Sequence, residues 1–227
     1  MSEFVTLQSK KWDCILEQFS VIDTDPEKEI LEFLKQGTLH LGNKGLDIGC
    51  GFGRHTLAAL KIGFNITAVD FSKMAVKNAA EFIKSKGFKT NIYVASMDNL
   101  PFKEGTFDFT FSSCVFNHGT RAMFEEAIFE SVRVLRSGGT SFGLVMSRDD
   151  YRYGKGIRVE RDCYVFLKGL ESGVYHFFPS KKFLRSVLKR VSHIELIQEV
   201  HYIGNDIKVY HPGLQMSSHF IYCIRKP

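Results

Sequence analysis

Short apolar runs and amphipathic stretches alternate through the middle of the chain. Lys44 to Ile48 reads as a first strand and Arg54 to Ile62 as a helix stopped by Gly63. Asn65 to Val69 is a second apolar run. Ser72 then caps a helix through about Lys86, ended by Gly87. Thr90 to Ala95 and Phe107 to Ser112 give a third and a fourth strand. Ala122 to Arg136 is amphipathic, with Phe124, Ile128 and Leu135 on one face, and Thr140 to Met146 is a fifth strand. Strands alternating with helices predict a doubly wound α/β fold, a parallel sheet with helices on both faces.

The flanks read differently. Residues 1 to 42 are helical in pattern. Asp25-Pro26 is a helix start, and Ile30, Phe33 and Leu34 follow at helical spacing. Between Asp149 and Pro179 the period changes. Arg158 to Leu167 and Gly173 to Phe178 predict two strands around Gly169-Leu170-Glu171-Ser172, a hairpin inserted over the C-terminal edge of the sheet. Ser180 caps a helix to about Arg190, and His193 to His201 and His219 to Ile224 are the last two strands. No repeat, low-complexity segment or linker divides the chain.

The densest chemistry sits at Leu46-Asp47-Ile48-Gly49-Cys50-Gly51-Phe52-Gly53. A strand running into three alternate glycines must turn sharply, and a missing Cβ lets the backbone approach a ligand. The dinucleotide fingerprint is G-x-G-x-x-G over a pyrophosphate. Here the third glycine comes one residue early and Asp47 stands two before the first. A carboxylate there repels a pyrophosphate and attracts an ammonium group. Asp70, 21 residues after Gly49, closes the second strand where an acid accepts hydrogen bonds from ribose hydroxyls. Phe71 follows it, placed to pack on a purine.

Four further segments accompany this loop in order. They are Asp70 itself, Met97-Asp98-Asn99-Leu100-Pro101-Phe102, Phe107-Asp108-Phe109-Thr110-Phe111-Ser112-Ser113, and Arg133-Val134-Leu135-Arg136-Ser137-Gly138-Gly139. Residues 44 to 147 thereby resemble a class I S-adenosylmethionine-dependent methyltransferase of the small-molecule type. The resemblance implies a Rossmann-like, seven-stranded, mostly parallel sheet whose last two strands are antiparallel. It also implies one domain over 1–227, with a helical lid at 1–42 and a substrate-side insertion at 151–178. The cofactor implied is S-adenosylmethionine, bound by Asp47, Gly49, Gly51, Gly53, Asp70, Phe71, Met97, Asp98 and Ser113. Arg54 stands where it meets the carboxylate of the methionine moiety, and Cys114 lines that end as a small apolar group. Trp12, the single tryptophan, resembles a lid aromatic.

Composition narrows the acceptor. The net charge of +5 is mild and dispersed, so no nucleic-acid partner is expected. Five well-separated cysteines with no C-x-x-C pair give no support to a metal site and suit a reducing compartment. With no apolar run near the bilayer length and no signal-like start, a cytoplasmic protein without membrane association is expected, as monomer or dimer.

Methyl transfer needs alignment more than side-chain chemistry. A base helps where the acceptor arrives protonated. His118, just past the fourth strand, and His176 in the insertion are the catalytic candidates. Tyr175, Glu171, Tyr151 and His219 are candidates for the acceptor side, with Tyr153, Arg158 and Tyr210 behind them. The expected acceptor is a small molecule methylated at nitrogen, oxygen, sulfur or carbon. Two other readings remain open from the residues: a binding module without catalysis, and an NAD-dependent oxidoreductase on a similar sheet.

Overall fold

The computed structural model describes residues 3–18, 25–203 and 216–227. Tyr210 lies outside them. A seven-stranded sheet forms the centre, in the order β3-β2-β1-β4-β5-β10-β9. Its strands are β1 (Lys44–Ile48), β2 (Asn65–Asp70), β3 (Asn91–Val94), β4 (Phe107–Ser113), β5 (Leu135–Met146), β9 (His193–Ile203) and β10 (Met216–Arg225). The first five run parallel, Leu46 sitting opposite Thr67 on one side and Thr110 on the other. β10 is antiparallel to both β5 and β9. The strand order reverses between β1 and β4, which opens a crevice beyond their carboxyl ends.

Helices cover both faces. α2 (Lys28–Leu34) and α3 (Arg54–Ile62) pack Ile30, Phe33 and Ala59 onto Phe109, Phe142 and Ile221. α5 (Arg121–Arg133) and α6 (Lys181–Leu188) set Phe124, Ile128 and Leu184 against Leu46, Val145 and Tyr222 on the other face. Ile221 and Tyr222 thus feed opposite layers from one strand, the period-two signature of a sheet buried on both sides. α4 (Lys73–Ser85) begins at Ser72, whose hydroxyl accepts from the Ala75 amide at 3.0 Å, as its cap residue predicts.

Three boundaries depart from the pattern. α2 starts at Lys28 rather than at Asp25-Pro26, and its N-cap Glu27 makes no capping bond because its carboxylate is engaged elsewhere. β5 begins at Leu135 rather than Thr140. Leu135 pairs with Phe107 and Thr140 with Phe109, so residues 136–139 loop out of register. The inserted hairpin has three strands rather than two: β6 (Ile157–Glu160), β7 (Cys163–Val165) and β8 (Tyr175–Phe177). Asp162, at φ 63°, turns the chain inside the first expected strand.

Asn117 ties the insertion to the sheet. Its side chain accepts from the Met146 amide at 2.7 Å and donates to the Phe177 carbonyl at 2.6 Å, wholly buried. α1 (Glu3–Glu17) crosses above the crevice. At one end Asp13 accepts from the Met74 amide at 3.1 Å and from the Ser72 hydroxyl. At the other end the Gln8 side chain meets Gly173 and Tyr175, and Phe4 packs edge-on against Tyr175 at 4.8 Å. No helix among the described residues is long and apolar enough to cross a membrane.

Candidate cofactor and acceptor cavity

A cavity of about 760 Å³ fills the crevice under α1. At one end its wall comprises Gly49, Gly51, Asp70, Phe71 and Met97, and at the other Ser113, His118, Arg152, Glu171 and His219. Trp12 and Leu16 of α1 lie over it.

The glycine turn makes the floor. A Cβ on Gly49 would meet Val115 at 2.3 Å, so this glycine lets the loop fold back on the end of β4. A Cβ on Gly51, at φ +52°, would meet no atom within 4 Å. Gly51 therefore leaves backbone open to a ligand instead of making room for a neighbour. Gly53 caps α3 in the left-handed region and does not reach the cavity wall; its Cβ position is set 3.3 Å from Ala79 of α4.

Asp70 accepts from the Gly51 amide at 3.0 Å and the Ser72 amide at 2.9 Å. Its two oxygens keep further lone pairs for hydroxyl donors. Burial pushes its carboxyl up to about 6, against those two amides and with the charges of Asp47 and Asp13 adding to the rise. Asp47 lies beneath the loop and not on the wall. It is 2% exposed and accepts from the Thr56 hydroxyl at 2.6 Å, and burial pushes it too up to about 6. Asp98 borders an adjoining cavity of about 360 Å³ and accepts from the Ser96 hydroxyl; Ala95 and Ser96 form the partition between the two spaces.

Glu27 is the main residue the sequence reading missed. Its carboxylate receives Arg54 at 2.5 Å, His55 at 3.0 Å and the Ser113 hydroxyl. Burial alone would raise this carboxyl. The hydrogen bond and charge of His55, with the charge of Arg54, outweigh it and hold the group below the ordinary carboxylate range. Arg54, expected to face a ligand carboxylate, is thus paired with a carboxylate of the protein itself. Cys114 lines the wall at φ 55°, and burial pushes its thiol up to about 12, which suits a small apolar contact rather than a nucleophile.

The other end of the cavity is a polar cluster. His118 packs edge-on against Trp12 at 4.8 Å and against His176 at 5.0 Å. Burial, then the charges near it, lowers the His118 ring to about 3. His176 does not reach the wall; it is fully buried, with Nε2 2.9 Å from Glu171 and Nδ1 3.0 Å from the Val174 carbonyl. Arg152 forms a two-pronged pair with Asp150, at 2.7 and 2.9 Å, and Asp150 also accepts from Ser217 at 2.8 Å. Burial lowers His219 to about 4, and its ring packs against Tyr202 at 5.4 Å.

Tyr175, Tyr151, Tyr153 and Arg158 are not on this wall. Tyr175 supports α1, Tyr151 neighbours Lys155 and Arg152, Tyr153 donates to Asp162 at 2.8 Å, and Arg158 is exposed on β6. Arg152, Asp150 and Asn117 carry no spacing signature and come together only across the fold.

Residues 46–142 match the family described as "Methyltransferase domain". The tRNA (carboxymethyluridine(34)-5-O)-methyltransferase of Saccharomyces cerevisiae is 29% identical over 159 residues, 69% of this chain and 54% of that protein. The malonyl-[acyl-carrier protein] O-methyltransferase of Buchnera aphidicola is 29% identical over 120 residues, 52% of this chain and 46% of that protein. The chain spans about half the length of these two relatives. A SAM-dependent methyltransferase structure from Methanosarcina mazei superposes with a TM-score of 0.71 at 19% identity, covering 89% of this chain and 99% of that one, a likeness of fold. Residues 46–142 are thus similar to a methyltransferase domain, and the fold is that of a SAM-dependent methyltransferase structure.

Proposed function

We propose that this chain methylates a small molecule held at the Arg152–Glu171–His219 end of the cavity. One observation carries the reading: a single continuous cavity joins the Gly51–Asp70 floor to that polar end, beneath Trp12 and Leu16. Its volume lies within the range of about 300–1,000 Å³ typical of small-ligand clefts.

S-adenosylmethionine supplies a methyl group on a sulfonium, already activated for displacement. The chain's own residues do the rest. Asp70 accepts from the ribose hydroxyls, Phe71 and Met97 flank the base, and the open backbone at Gly51 admits close approach. Asp47 acts through Thr56 from below the loop, and Asp98 sits at the outer edge of the adenine side. The carboxylate of Asp70 favours a cationic ligand, while that of Glu27 is paired with Arg54. His118 is neutral near pH 7, so its lone pair is free to accept a hydrogen bond from the acceptor's X–H and orient it. His176 and Glu171 hold that ring from behind. We read α1 and α2 as the lid and residues 151–178 as the acceptor-side insertion of one domain.

The second reading is a macromolecular acceptor, favoured by relatives named for tRNA and for ribosomal protein. Incubating the protein with methyl-labelled S-adenosylmethionine and, separately, a small-molecule extract, bulk tRNA and a protein fraction distinguishes them. Label in the small-molecule fraction is expected. Label confined to tRNA or protein overturns the small-molecule reading, and cofactor binding without transfer to any fraction leaves the binding-module alternative.

A further inference from the structure

Three side chains at the acceptor end make a constellation that hydrogen bonding alone leaves incomplete. One nitrogen of His118, one of His176 and one oxygen of Glu171 lie within 4.8 Å of one another. They come from three places: the loop after β4, the strand β8 and the turn before it. We propose that His118, Glu171 and His176 form a binding site for a divalent transition metal of the zinc or iron(II) kind, facing the acceptor end of the cavity.

Two observations bear on a ligand there. The first concerns His176. Its Nδ1 lies 3.0 Å from the Val174 carbonyl, and a carbonyl only accepts, so Nδ1 carries a proton. Nε2 then points away from the main chain at a carboxylate oxygen of Glu171, 2.9 Å off, a pair of atoms that can share either a proton or a metal ion. A backbone carbonyl that fixes the far nitrogen is also the usual outer-shell partner of a metal-bound imidazole. The second observation is His118 Nδ1, which is buried and has no hydrogen-bond partner.

Charge and surroundings agree. Asp150 and Arg152 cancel as a two-pronged pair, while Arg152 Nη1 stays 4.0 Å from Glu171. Asp150, Arg152 and Glu171 carry a formal sum of one negative charge beside the two rings, which favours a cation. Phe166 stacks on His176 at 4.3 Å and Trp12 closes on His118 at 4.8 Å, an apolar shell that holds both rings in place. Two histidines and one carboxylate with open positions are a donor set suited to zinc or iron(II). Ligands about 2.0–2.2 Å from such an ion stand roughly 3.3 Å apart, so small side-chain rotations close the triad.

The function of such an ion rests on the methyl-transfer reading; the ion's binding does not. An acceptor hydroxyl or thiol that takes an open position forms a bond from its oxygen or sulfur to the metal. Its X–H bond is weakened, and the proton passes to solvent water. The lone pair left on X is the one that receives the methyl group. No electron changes hands, so the step needs no oxidant or reductant.

The test is a titration of the full chain with cobalt(II), read by visible d–d absorption, and with zinc(II), read by metal content after gel filtration. One ion per chain is expected. Glu171→Gln and His176→Ala should each weaken it at least tenfold, with calorimetric S-adenosylmethionine binding retained as the sign of a folded protein. Wild-type protein that binds the cofactor but retains no stoichiometric zinc, cobalt or, anaerobically, iron(II) overturns the proposal. So does stoichiometric metal that survives both substitutions, since its ligands then lie elsewhere. A native chain that binds metal but not S-adenosylmethionine would instead sink the methyl-transfer reading and leave the metal site standing.

Discussion

Acidifying the solution from pH 7 to pH 5 should weaken S-adenosylmethionine binding about tenfold through Asp70. The ribose hydroxyls donate, so the competent form is the carboxylate. Burial places the Asp70 ionisation near 6 in the free protein. With that value the ionised fraction falls from about nine-tenths at pH 7 to about one-tenth at pH 5, and the apparent dissociation constant rises by the ratio, near tenfold or about 1.4 kcal/mol. The sign follows from the direction of the shift: a raised carboxyl favours the protonated form in the free protein, so ligand that needs the anion binds better as pH rises through about 6. The ligand's own α-amino and α-carboxyl groups titrate outside this window. Asp47, also near 6, and Asp13 are the charged neighbours that face Asp70. Calorimetry at half-unit pH steps on the native chain and on Asp70→Asn makes the comparison. A flat native profile, or a profile that Asp70→Asn leaves unchanged, refutes the reasoning.

Other substitutions separate floor from fold. Gly51→Ala should cost about 1–2 kcal/mol for a left-handed alanine and weaken cofactor binding further by filling the approach, read by calorimetry beside thermal melting. Gly49→Ala pays the same strain and also collides with Val115 at 2.3 Å, so it should lower the melting temperature more than Gly51→Ala does. Asn117→Ala strands the Met146 amide and the Phe177 carbonyl in the interior; at about 1–3 kcal/mol for each buried unpaired group, urea unfolding should show a loss of several kcal/mol. Trp12, the one tryptophan, lines the cavity, so its emission should change saturably with S-adenosylhomocysteine, and an unresponsive signal would remove it from the lid.

The central sheet was legible because its signals are local. Strand, glycine turn, helix and acid follow one another between Lys44 and Asp70, and each needs only its neighbours in sequence to be recognised. The acceptor end was not. Glu27 reads as an ordinary helix-start acid until Ser113, 86 residues away, arrives beside it. That same engagement explains why Asp25-Pro26 misled: the side chain nearest the α2 amides is drawn into the site, so no cap forms where propensity expects one. The insertion was misdivided because Asp162 makes its turn without glycine, and aspartate tolerates the left-handed region without announcing it. Arg152, Asp150 and Asn117 matter through partners in other elements, a relation that no single-chain periodicity records.

The helix over the cavity is moored at both ends to different things. Asp13 holds the start of α4, which follows directly from the ribose-side acid, while Gln8 and Phe4 hold the insertion beside the acceptor end. One door therefore serves two visitors. On the methyl-transfer reading, spent cofactor and methylated product would both leave past α1, and slippage of both moorings would widen that path. Turnover should then be paced by departure rather than chemistry, visible as a burst of product in the first cycle. Weakening the Gln8 mooring should shrink the burst and speed the steady state together.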